Sequence, residues 1–305
     1  MSSLISVVVP AYNAGETIAE CIESIQHQQY GQWELWVVDD GSTDATGAVC
    51  DSYAASDLRV HVVHQPNKGR SAARLEGMMR AKGEWIAFVD ADDKLPVDSL
   101  TLLYAAASND VDIVLGNGYA LPSEKRHIIP MSDFRHLAVR GEGTIGVPWG
   151  SLYRRSVLTP WMMEVPRHIY NGEDYLFWLR LVFTTERPVA VVYDSVYDKG
   201  EEHTSNCFRW TADYCYELNE LRKLSIPVEW HDEYLEDMLQ DRLANLYSVT
   251  LYTPRSEWQR SSYYRDIMDD LRKIGKRLSL KNRLFLRLPS RSLRRLYSTL
   301  SKKLR

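Results

Sequence analysis

The chain has 305 residues, of which 45% are hydrophobic and 26% are charged, a composition that excludes a disordered chain and allows a sizeable buried core. Its 37 basic and 41 acidic residues give a net charge of −4, and no apolar run approaches the ~18–20 residues needed to cross a membrane. The length suits one large α/β domain with an appendage, or two domains.

Short apolar runs alternate with segments of helical spacing through the first 115 residues. The apolar runs predict strands at residues 4–10, 33–38, 60–64, 86–89 and 111–115. The spacing between them predicts helices at residues 16–28, 42–56, 71–81 and 96–108. Ser42 or Thr43 would cap the second of these helices. The alternation is typical of a parallel sheet with helices on both faces and right-handed crossovers.

The fourth predicted strand ends in three carboxylates within four residues, Asp90, Asp92 and Asp93. Like charges this close repel one another, and their desolvation is costly unless a cation lies among them. Ligands of open α/β sheets bind beyond the carboxyl ends of the strands. The pair Asp90 and Asp92 therefore predicts a divalent metal that would in turn hold phosphates. The alternative is a solvated turn in which Asp93 and residues 94–96 start the next helix.

Two common nucleotide-binding motifs are missing from the first turn. Neither the dinucleotide fingerprint Gly-x-Gly-x-x-Gly nor the phosphate loop Gly-x-x-x-x-Gly-Lys-Ser/Thr follows the first strand. A nucleotide bound by this sheet would therefore be held by carboxylates and a metal rather than by a glycine-rich cradle.

The clean alternation stops after Gly116, and the sequence predicts irregular loops as far as Thr144. An aromatic and basic segment follows at residues 147–158. Glu173 and Asp174 then stand side by side at the head of a strongly apolar helix. Beyond this helix the pattern predicts a strand at 188–194 and helices at 207–224, 232–252 and 263–278.

Five segments, taken together and in this order, resemble the family 2 glycosyltransferases, which are inverting sugar-nucleotide enzymes with the GT-A fold. The segments are residues 7–13, 37–44, 67–74, 83–93 and 172–174. The resemblance covers roughly residues 4–206. Each piece alone is a weak signal, but each lies at a predicted strand end or helix start, which makes the set specific.

The resemblance implies a fold and a division of the chain. We expect an α/β GT-A fold, with a mostly parallel, Rossmann-like sheet and flanking helices, over a catalytic domain at residues 1–206. Its nucleotide-binding half would be residues 1–115 and its acceptor and catalytic half residues 116–206. A helical C-terminal region with a basic amphipathic tail would occupy residues 207–305.

The resemblance also implies roles on the nucleotide side. Tyr12 would stack on the base, and Asp40 or Asp39 would accept the N3–H of uracil, while Lys68 and Arg70 would bring positive charge near the base or the phosphates. The implied nucleotide-contacting positions are Pro10, Tyr12, Asn13, Asp39, Asp40, Lys68, Arg70, Asp90, Ala91 and Asp92. The alternatives are a packed turn tyrosine, a carboxylate that caps a helix and a solvated loop lysine.

The metal and the catalytic base are implied in the same way. Asp92 would be the direct ligand of Mn²⁺ or Mg²⁺, with Asp90 on the ribose or the metal, and His203 would complete the metal or phosphate site unless it is a surface histidine. Asp174, with Glu173 as the alternative, would take the proton of the attacking acceptor hydroxyl. Both could instead be first-turn acids that favour a helix dipole.

Three further positions bear on the resemblance. Trp149 would stack on the acceptor sugar, or would be a core tryptophan. Leu75 stands where relatives commonly have asparagine, which removes a polar contact from this helix. Lys199 stands where an arginine phosphate clamp is often found, and it would act as a point charge rather than a fork.

The end of the chain is strongly basic. After Asp270 there are 13 basic residues and no acidic one, which leaves 24 basic and 41 acidic residues in the first 270 positions. Leucines interleave with the cations, and Pro289 would divide the segment into two short helices. We predict that residues 272–305 bind an anionic membrane surface. The alternative is packing on the acidic body or on a second subunit, and we expect no nucleic acid partner.

These expectations combine into one function. The chain would be a metal-dependent inverting glycosyltransferase that moves a sugar from a nucleotide donor, with a UDP-sugar favoured, to a hydroxyl of a glycan acceptor. The acceptor would be lipid-linked, as in the synthesis of bacterial O-antigen, capsule or lipooligosaccharide. The alternatives are a non-catalytic binder of sugar nucleotides or an assembly partner, and less readily a nucleotidyltransferase, which would need a phosphate loop at residues 10–13.

The expected location follows from the same features. Residues 1–6 lead straight into a strand, so we expect no signal peptide, and the four cysteines have no metal-type spacing. We therefore expect a cytoplasmic protein that associates peripherally with the inner face of the cell membrane. A homodimer formed through the C-terminal helices is a further expectation.

Overall fold

The computed structural model describes residues 2–116, 127–141, 146–200, 210–278, 280–288, 290 and 292–294. The chain divides into two compact units, Met1–His203 and Thr204–Arg305. The first unit contains the sheet, and the second contains only helices among its described residues.

The first unit is built on an eight-stranded, mostly parallel sheet with the order β3-β2-β1-β4-β7-β5-β8-β6. The strands are β1 (Ile5–Ala11), β2 (Trp33–Asp39), β3 (Val60–His64), β4 (Trp85–Phe88), β5 (Ile113–Leu115), β6 (Ile128–Ile129), β7 (Ser151–Arg154) and β8 (Val189–Val191). The first four strands pair in parallel, so their carboxyl ends meet at one edge of the sheet. The five strands predicted in the first 115 residues are confirmed.

Helices cover both faces of this sheet. They are α1 (Ile18–Gln26), α2 (Thr46–Ser56), α3 (Arg70–Arg80), α4 (Ser99–Ala106), α5 (Met131–Arg140) and α6 (Glu173–Leu181). Val7 and Val9 of β1 pack into one core with residues of α1, α2 and α4. Val8, between them, packs into a second core with residues of α3, α5 and α6. Successive side chains of a strand point to opposite faces, and this explains why Val7, Val8 and Val9 are all apolar.

The predicted cap of the second helix is wrong. Helix α2 begins at Thr46, and neither Ser42 nor Thr43 caps it. Asp44 instead accepts the backbone N–H of Thr46 at 3.0 Å, while Ser42 Oγ accepts the N–H of Asn13 at 3.0 Å. The hydroxyl of Ser42 therefore fixes the turn after β1 rather than the helix that follows it.

The prediction of irregular loops between residues 116 and 144 is wrong in part. Residues 117–126 and 142–145 lie outside the described residues, but β6 and α5 lie between them. Helix α5 buries Phe134, Ala138 and Val139 on one face, although its sequence is interrupted by charged residues. The aromatic segment at 147–158 contains β7, which runs antiparallel to β4 and β5 and separates them in the sheet.

The second unit is a set of helices around its own core. They are α7 (Ala212–Ser225), α8 (His231–Tyr252), α9 (Arg255–Trp258), α10 (Ser262–Lys273) and α11 (Leu280–Arg287). Leu246, Trp258 and Ile267 are fully buried in this core, and Phe285 of the basic tail packs into it. The helices predicted at 207–224, 232–252 and 263–278 correspond to α7, α8 and α10.

Part of the basic tail is engaged within the second unit. Lys273 forms an ion pair of 2.7 Å with Asp232, and the buried Arg294 donates to the carbonyl oxygen of Thr250 at 2.9 Å. The leucines of the tail are not all buried: Leu286 is buried, whereas Leu280 and Leu284 are exposed. Pro289 and residues 295–305 lie outside the described residues. Of the helices described, none is both long and apolar enough to cross a membrane.

Candidate active site

The turn after β1 presents an aromatic ring at the carboxyl edge of the sheet. Tyr12 is 53% exposed. The next residue, Asn13, has a left-handed backbone with φ of 49°. Its side-chain oxygen accepts the N–H of Thr43 at 2.9 Å, which joins this turn to the one after β2. Pro10, inside β1, pairs with Val38. The turn is therefore fixed while the ring of Tyr12 stays available to a ligand.

The two carboxylates after β2 are both used by the protein. Asp40 is buried, and its oxygens accept hydrogen bonds from Gln65 Nε2 at 2.6 Å and from the backbone N–H groups of Lys68 and Gly69 at 2.8 and 2.7 Å. Asp40 therefore holds the loop between β3 and α3. The role predicted for it, acceptance of the N3–H of uracil, stays a prediction, since a carboxylate has about four acceptor positions and these bonds use three. Neither Asp39 nor Asp40 caps α2.

Asp39 forms a second network with a histidine. Its Oδ1 accepts the N–H of Ser42 at 3.0 Å, and its Oδ2 lies 2.9 Å from His64 Nδ1. The other ring nitrogen of His64 lies 3.0 Å from Asp51. Hydrogen bonds to Asp39 and Asp51 raise the pKa of His64 above its usual value. Burial alone would raise the pKa of Asp39, but its bonds to Ser42 and His64 outweigh burial and lower it.

Asp93 does not start the next helix, because α4 begins only at Ser99. Asp93 is buried and accepts hydrogen bonds from Tyr197 Oη at 2.6 Å and from the N–H of Gly200 at 2.7 Å. Tyr197 Oη in turn accepts the N–H of Asp90 at 3.0 Å. Burial and the neighbouring charges of the motif raise the pKa of Asp93. Asp93 therefore anchors the strand-end loop and is not free to bind a ligand.

The remaining two carboxylates of the motif are accessible. Asp92 is exposed and accepts no hydrogen bond from any residue that the structure describes, whereas Asp90 is half-buried and bonds to Arg74. Ala91, between them, is buried. The residues described contain no cluster of three or more His, Cys, Asp or Glu side chains able to hold a metal. Two carboxylates nevertheless fit Mg²⁺ or Mn²⁺, which are commonly held by one or two carboxylates together with substrate phosphates. His203 lies outside the described residues.

A buried arginine joins the motif to the predicted base. Arg74 of α3 is 1% exposed. Its Nη2 donates to Asp90 at 2.7 Å and its Nη1 donates to Asp174 at 2.6 Å. Burial alone would lower the pKa of Arg74, but the two carboxylates outweigh burial and raise it above the usual value. The two ends of one guanidinium thus bring Asp90, at the end of β4, and Asp174, at the start of α6, to within a few ångströms of each other.

Glu173 is placed differently from Asp174. It is 3% exposed, its Oε1 forms an ion pair with Arg70, and its Oε2 has no partner among the described residues. Burial and the neighbouring Asp174 raise the pKa of Glu173, although Arg70 opposes this shift. Arg70 also donates to the carbonyl oxygen of Tyr170 at 3.1 Å, and the side chain of Lys68 is exposed.

Trp149 lies beside the motif as part of an aromatic stack. Its ring stacks on Tyr197 with centroids 4.4 Å apart, and the ammonium of Lys199 lies 4.8 Å from its centroid. Trp149 is half-buried against the first core. Its packing therefore supports the aromatic that anchors Asp93, and this matches the alternative of a core tryptophan better than the sugar-stacking role.

The comparison with known families agrees with this geometry. The model of the family described as Glycosyl transferase family 2 matches residues 6–163, which is more than half of the chain. The chain belongs to glycosyltransferase family 2. The match begins in β1 and includes the turns after β1, β2 and β4 as well as Arg74.

Individual relatives extend the comparison. Glycosyltransferase GlyG of Streptococcus pneumoniae is 48% identical over 121 residues, which cover 39% of this chain and 40% of GlyG. Staphylococcus aureus TarS 1–349 in complex with UDP is similar with a TM-score of 0.58 and 18% identity, over 90% of this chain and 93% of that one. The mannosyltransferase PcManGT of Pyrobaculum calidifontis, in complex with GDP-Man and Mn²⁺, is similar with a TM-score of 0.55 and 18% identity, over 98% and 85%.

These structural similarities show the fold, and the predicted GT-A fold is confirmed. Its mostly parallel sheet places the turns of the family 2 motifs along one edge. The match to GlyG spans less than half the length of that protein.

Some residues of this family 2 site were missed by sequence reasoning. Arg74 is the last residue of the third motif, residues 67–74, but sequence reasoning assigns it no role, because an arginine in an amphipathic helix is usually exposed. Its spacing offers a signal, since it lies three and four residues before Gly77 and Met78, which are buried on the same face. Tyr197 and His64 have no comparable signal, because their partners are distant in sequence.

Replacing Arg74 should destabilise the protein. In Arg74→Met, Asp174 and Asp90 lose their shared cation in a partly buried setting, so we expect the free energy of unfolding to fall by about 3 kcal/mol. Urea denaturation measures this change. Arg80→Met is the matched control, because Arg80 forms an exposed pair with Glu76 in the same helix and should cost under ~1 kcal/mol. Equal losses in the two variants would contradict the central role of Arg74.

His64 should make the stability depend on pH. A histidine with a raised folded pKa stabilises the fold fully below its unfolded pKa, about 6.5, and loses this contribution as the pH rises through the folded value. The difference in free energy of unfolding between wild type and His64→Gln should therefore be larger at about pH 6 than at about pH 9. Urea denaturation at both pH values measures it. His27→Gln, at an exposed position, is the matched control for the replacement of a histidine.

Proposed function

We propose that this protein is a metal-dependent inverting glycosyltransferase that moves a sugar from a nucleotide donor to a hydroxyl of a glycan acceptor. The observation that carries the proposal is the shared guanidinium of Arg74, which binds both Asp90 of the Asp-x-Asp motif and Asp174. Membership of family 2 supports the same activity. A UDP-sugar is the favoured donor, and TarS was crystallised with UDP.

The donor would lie along the carboxyl edge of the sheet. The exposed ring of Tyr12 offers a stacking surface for the base, a contact typically worth about 1–3 kcal/mol. Asp92 and Asp90 would hold Mn²⁺ or Mg²⁺ against the diphosphate. When bound, the metal would neutralise the charge that develops on the departing diphosphate. Lys68 and Arg70 would add positive charge on the neighbouring loop.

Asp174 would act as the base. Inversion requires a carboxylate to take the proton of the acceptor hydroxyl while that hydroxyl attacks C1 from the face opposite the departing nucleotide. Arg74 bonds only Oδ1 of Asp174, which leaves Oδ2 for the acceptor. The side chain of Asp174 is 17% exposed, whereas that of Glu173 is 3% exposed and paired with Arg70. We therefore assign the base to Asp174, with Glu173 supporting Arg70.

The acceptor would be a lipid-linked glycan of a bacterial surface polysaccharide, such as O-antigen, capsule or lipooligosaccharide. In the tail, Leu280 and Leu284 are exposed next to the exposed cations Arg283 and Arg287. Apolar and basic side chains on one short helix favour an anionic membrane surface, where each cation contributes about 1 kcal/mol. The packing of Phe285 and Arg294 within the second unit shows that only part of the tail is available for this contact.

A non-catalytic binder of sugar nucleotides is the second candidate. Such a protein would have no need for an accessible metal pair and a separate base held at the same site. Asp92 is exposed, and Asp174 retains one oxygen without a bond to Arg74. Both features favour catalysis over binding alone.

Donor binding should depend on Asp92. We would titrate UDP, GDP, CMP and dTDP into the protein by calorimetry, with and without Mn²⁺. We expect UDP to bind with the metal and Asp92→Ala to weaken binding at least ~10-fold, because the variant removes a hard oxygen ligand. Asp110→Ala removes an exposed carboxylate that lies before β5, away from the carboxyl ends of the strands, and this variant should bind UDP as wild type does. Binding that is indifferent to both metal and Asp92 would refute the donor site.

Catalysis should depend on Asp174 much more than donor binding does. Asp174→Asn keeps the shape of the side chain but removes the base, so kcat for sugar transfer should fall by roughly 10²–10⁴-fold while the Kd for UDP and Mn²⁺ stays nearly the same. The kcat of Glu173→Gln should fall less than that of Asp174→Asn. Transfer is measured by analysis of the glycosylated product, since hydrolysis of the donor alone does not report transfer. Full activity of Asp174→Asn would assign the base elsewhere.

A further inference from the structure

A pocket of about 210 Å³ lies between α3 and the segment that leads into α6. We call it the α3 pocket, and its polar lining includes Lys68, Arg70, Ser71, Glu164, Arg167 and Glu173. Glu173 directly precedes the proposed base Asp174. The pocket therefore adjoins the place where an acceptor hydroxyl must approach, and it has room for one group of a larger molecule.

The lining of the α3 pocket carries an excess of positive charge. It contains Lys68, Arg70 and Arg167 against the carboxylates of Glu164 and Glu173. Arg70 is paired with Glu173. Arg167 donates to the neutral side-chain oxygen of Asn67 at 2.7 Å, so its charge is not cancelled by that contact. Exposed Lys68 has no side-chain partner among the residues described.

Backbone donors reinforce this charge. Helix α3 begins at Arg70, and its N-cap is Gly69, which has no side chain to cap it. The N–H of Gly69 is used by Asp40, but those of Arg70, Ser71 and Ala72 donate to no residue within the described part of the chain. These residues line the pocket. Free N–H groups and the positive end of the helix dipole together favour an anion.

A buried acceptor atom adds a second requirement. Glu173 lines the pocket and is 3% exposed, yet its Oε2 has no partner among the described residues. A buried polar atom without a partner destabilises the fold. A hydroxyl group of a ligand would supply the missing hydrogen bond. The pocket therefore fits a hydroxylated group that also carries an oxyanion.

We propose that the α3 pocket is an acceptor subsite for a sugar or polyol that bears an oxyanion, either a phosphate ester or a carboxylate. The oxyanion would meet Arg167 and the first turn of α3, and a hydroxyl would meet Glu173. This proposal rests on the proposed transferase function. It narrows the acceptor to an anionic glycan.

The test uses the full chain loaded with UDP and Mn²⁺, and simple probes that separate the two oxyanions. The probes are ribitol 5-phosphate and glucuronic acid, with ribitol and glucose as neutral counterparts, and binding is measured by calorimetric titration. We expect one of the anionic probes to bind at least ~10-fold more tightly than its neutral counterpart. The stronger anionic probe identifies the oxyanion. Equal binding of charged and neutral probes, or no binding of any, overturns the proposal.

Two variants test the location of the site. Ser71→Asp should weaken the favoured probe at least ~10-fold by charge repulsion, while an acid in the first turn of α3 favours the helix and keeps the protein folded. Ser71→Asn, of similar size and uncharged, should change the Kd much less. Arg167→Met should weaken the probe similarly, and Arg260→Met, an exposed arginine of the second unit, should not. Unchanged probe binding in Ser71→Asp and Arg167→Met overturns the assignment.

The donor is measured in parallel, so that the two proposals fail separately. UDP and Mn²⁺ should bind Arg167→Met as they bind wild type, and the Kd of the probe should be the same with and without UDP. Competition between UDP and the probe would show that the pocket belongs to the donor and would overturn the acceptor assignment. Loss of probe binding alone leaves the transferase proposal standing, whereas a wild type that binds no UDP refutes the transferase proposal itself.

Discussion

The ion pairs of Arg74 are the interaction on which the site depends. A fully buried guanidinium would be costly without partners, and its two carboxylates come from the end of β4 and the start of α6. Helix α3, which supplies the arginine, packs in the same core as these elements. The site can therefore form only when α6, about a hundred residues away in sequence, has packed against α3 and β4, so we expect stability and function to be linked at Arg74.

The carboxylates at the strand ends divide into structural and accessible groups. Asp40 and Asp93 are buried, and each fixes a neighbouring loop through hydrogen bonds to backbone N–H groups. Asp92 is exposed, while Asp90 and Asp174 are held by Arg74 with part of each side chain still accessible. The buried aspartates thus hold the loops in place, whereas the accessible ones remain available to a ligand.

The parts of the fold that depend on local sequence patterns could be predicted from the sequence. Strands β1 to β4 are short apolar runs, and the motifs follow them directly, so their shared edge could be predicted. The insertion of β7 between β4 and β5 could not be predicted, because the pairing of strands distant in sequence leaves no local pattern. The roles of Asp93 and Arg74 were missed for the same reason, since Tyr197 and Asp174, which they bind, lie about a hundred residues away from them. The roles assigned to Tyr12, Asp92 and Asp174 stay proposals.

The charge at the strand ends bears on why a metal would be needed. Asp90 and Asp174 share a single buried cation, Arg74, and Asp92 lies two residues beyond Asp90. Burial, together with the charges of Asp92 and Asp90, raises the pKa of Asp93. A nucleotide diphosphate would bring further negative charge to this edge. Like charges at such separations repel strongly when partly desolvated, and the protein supplies no second cation bonded to the pair among the residues described. A divalent ion held by Asp92 and Asp90 would remove this repulsion.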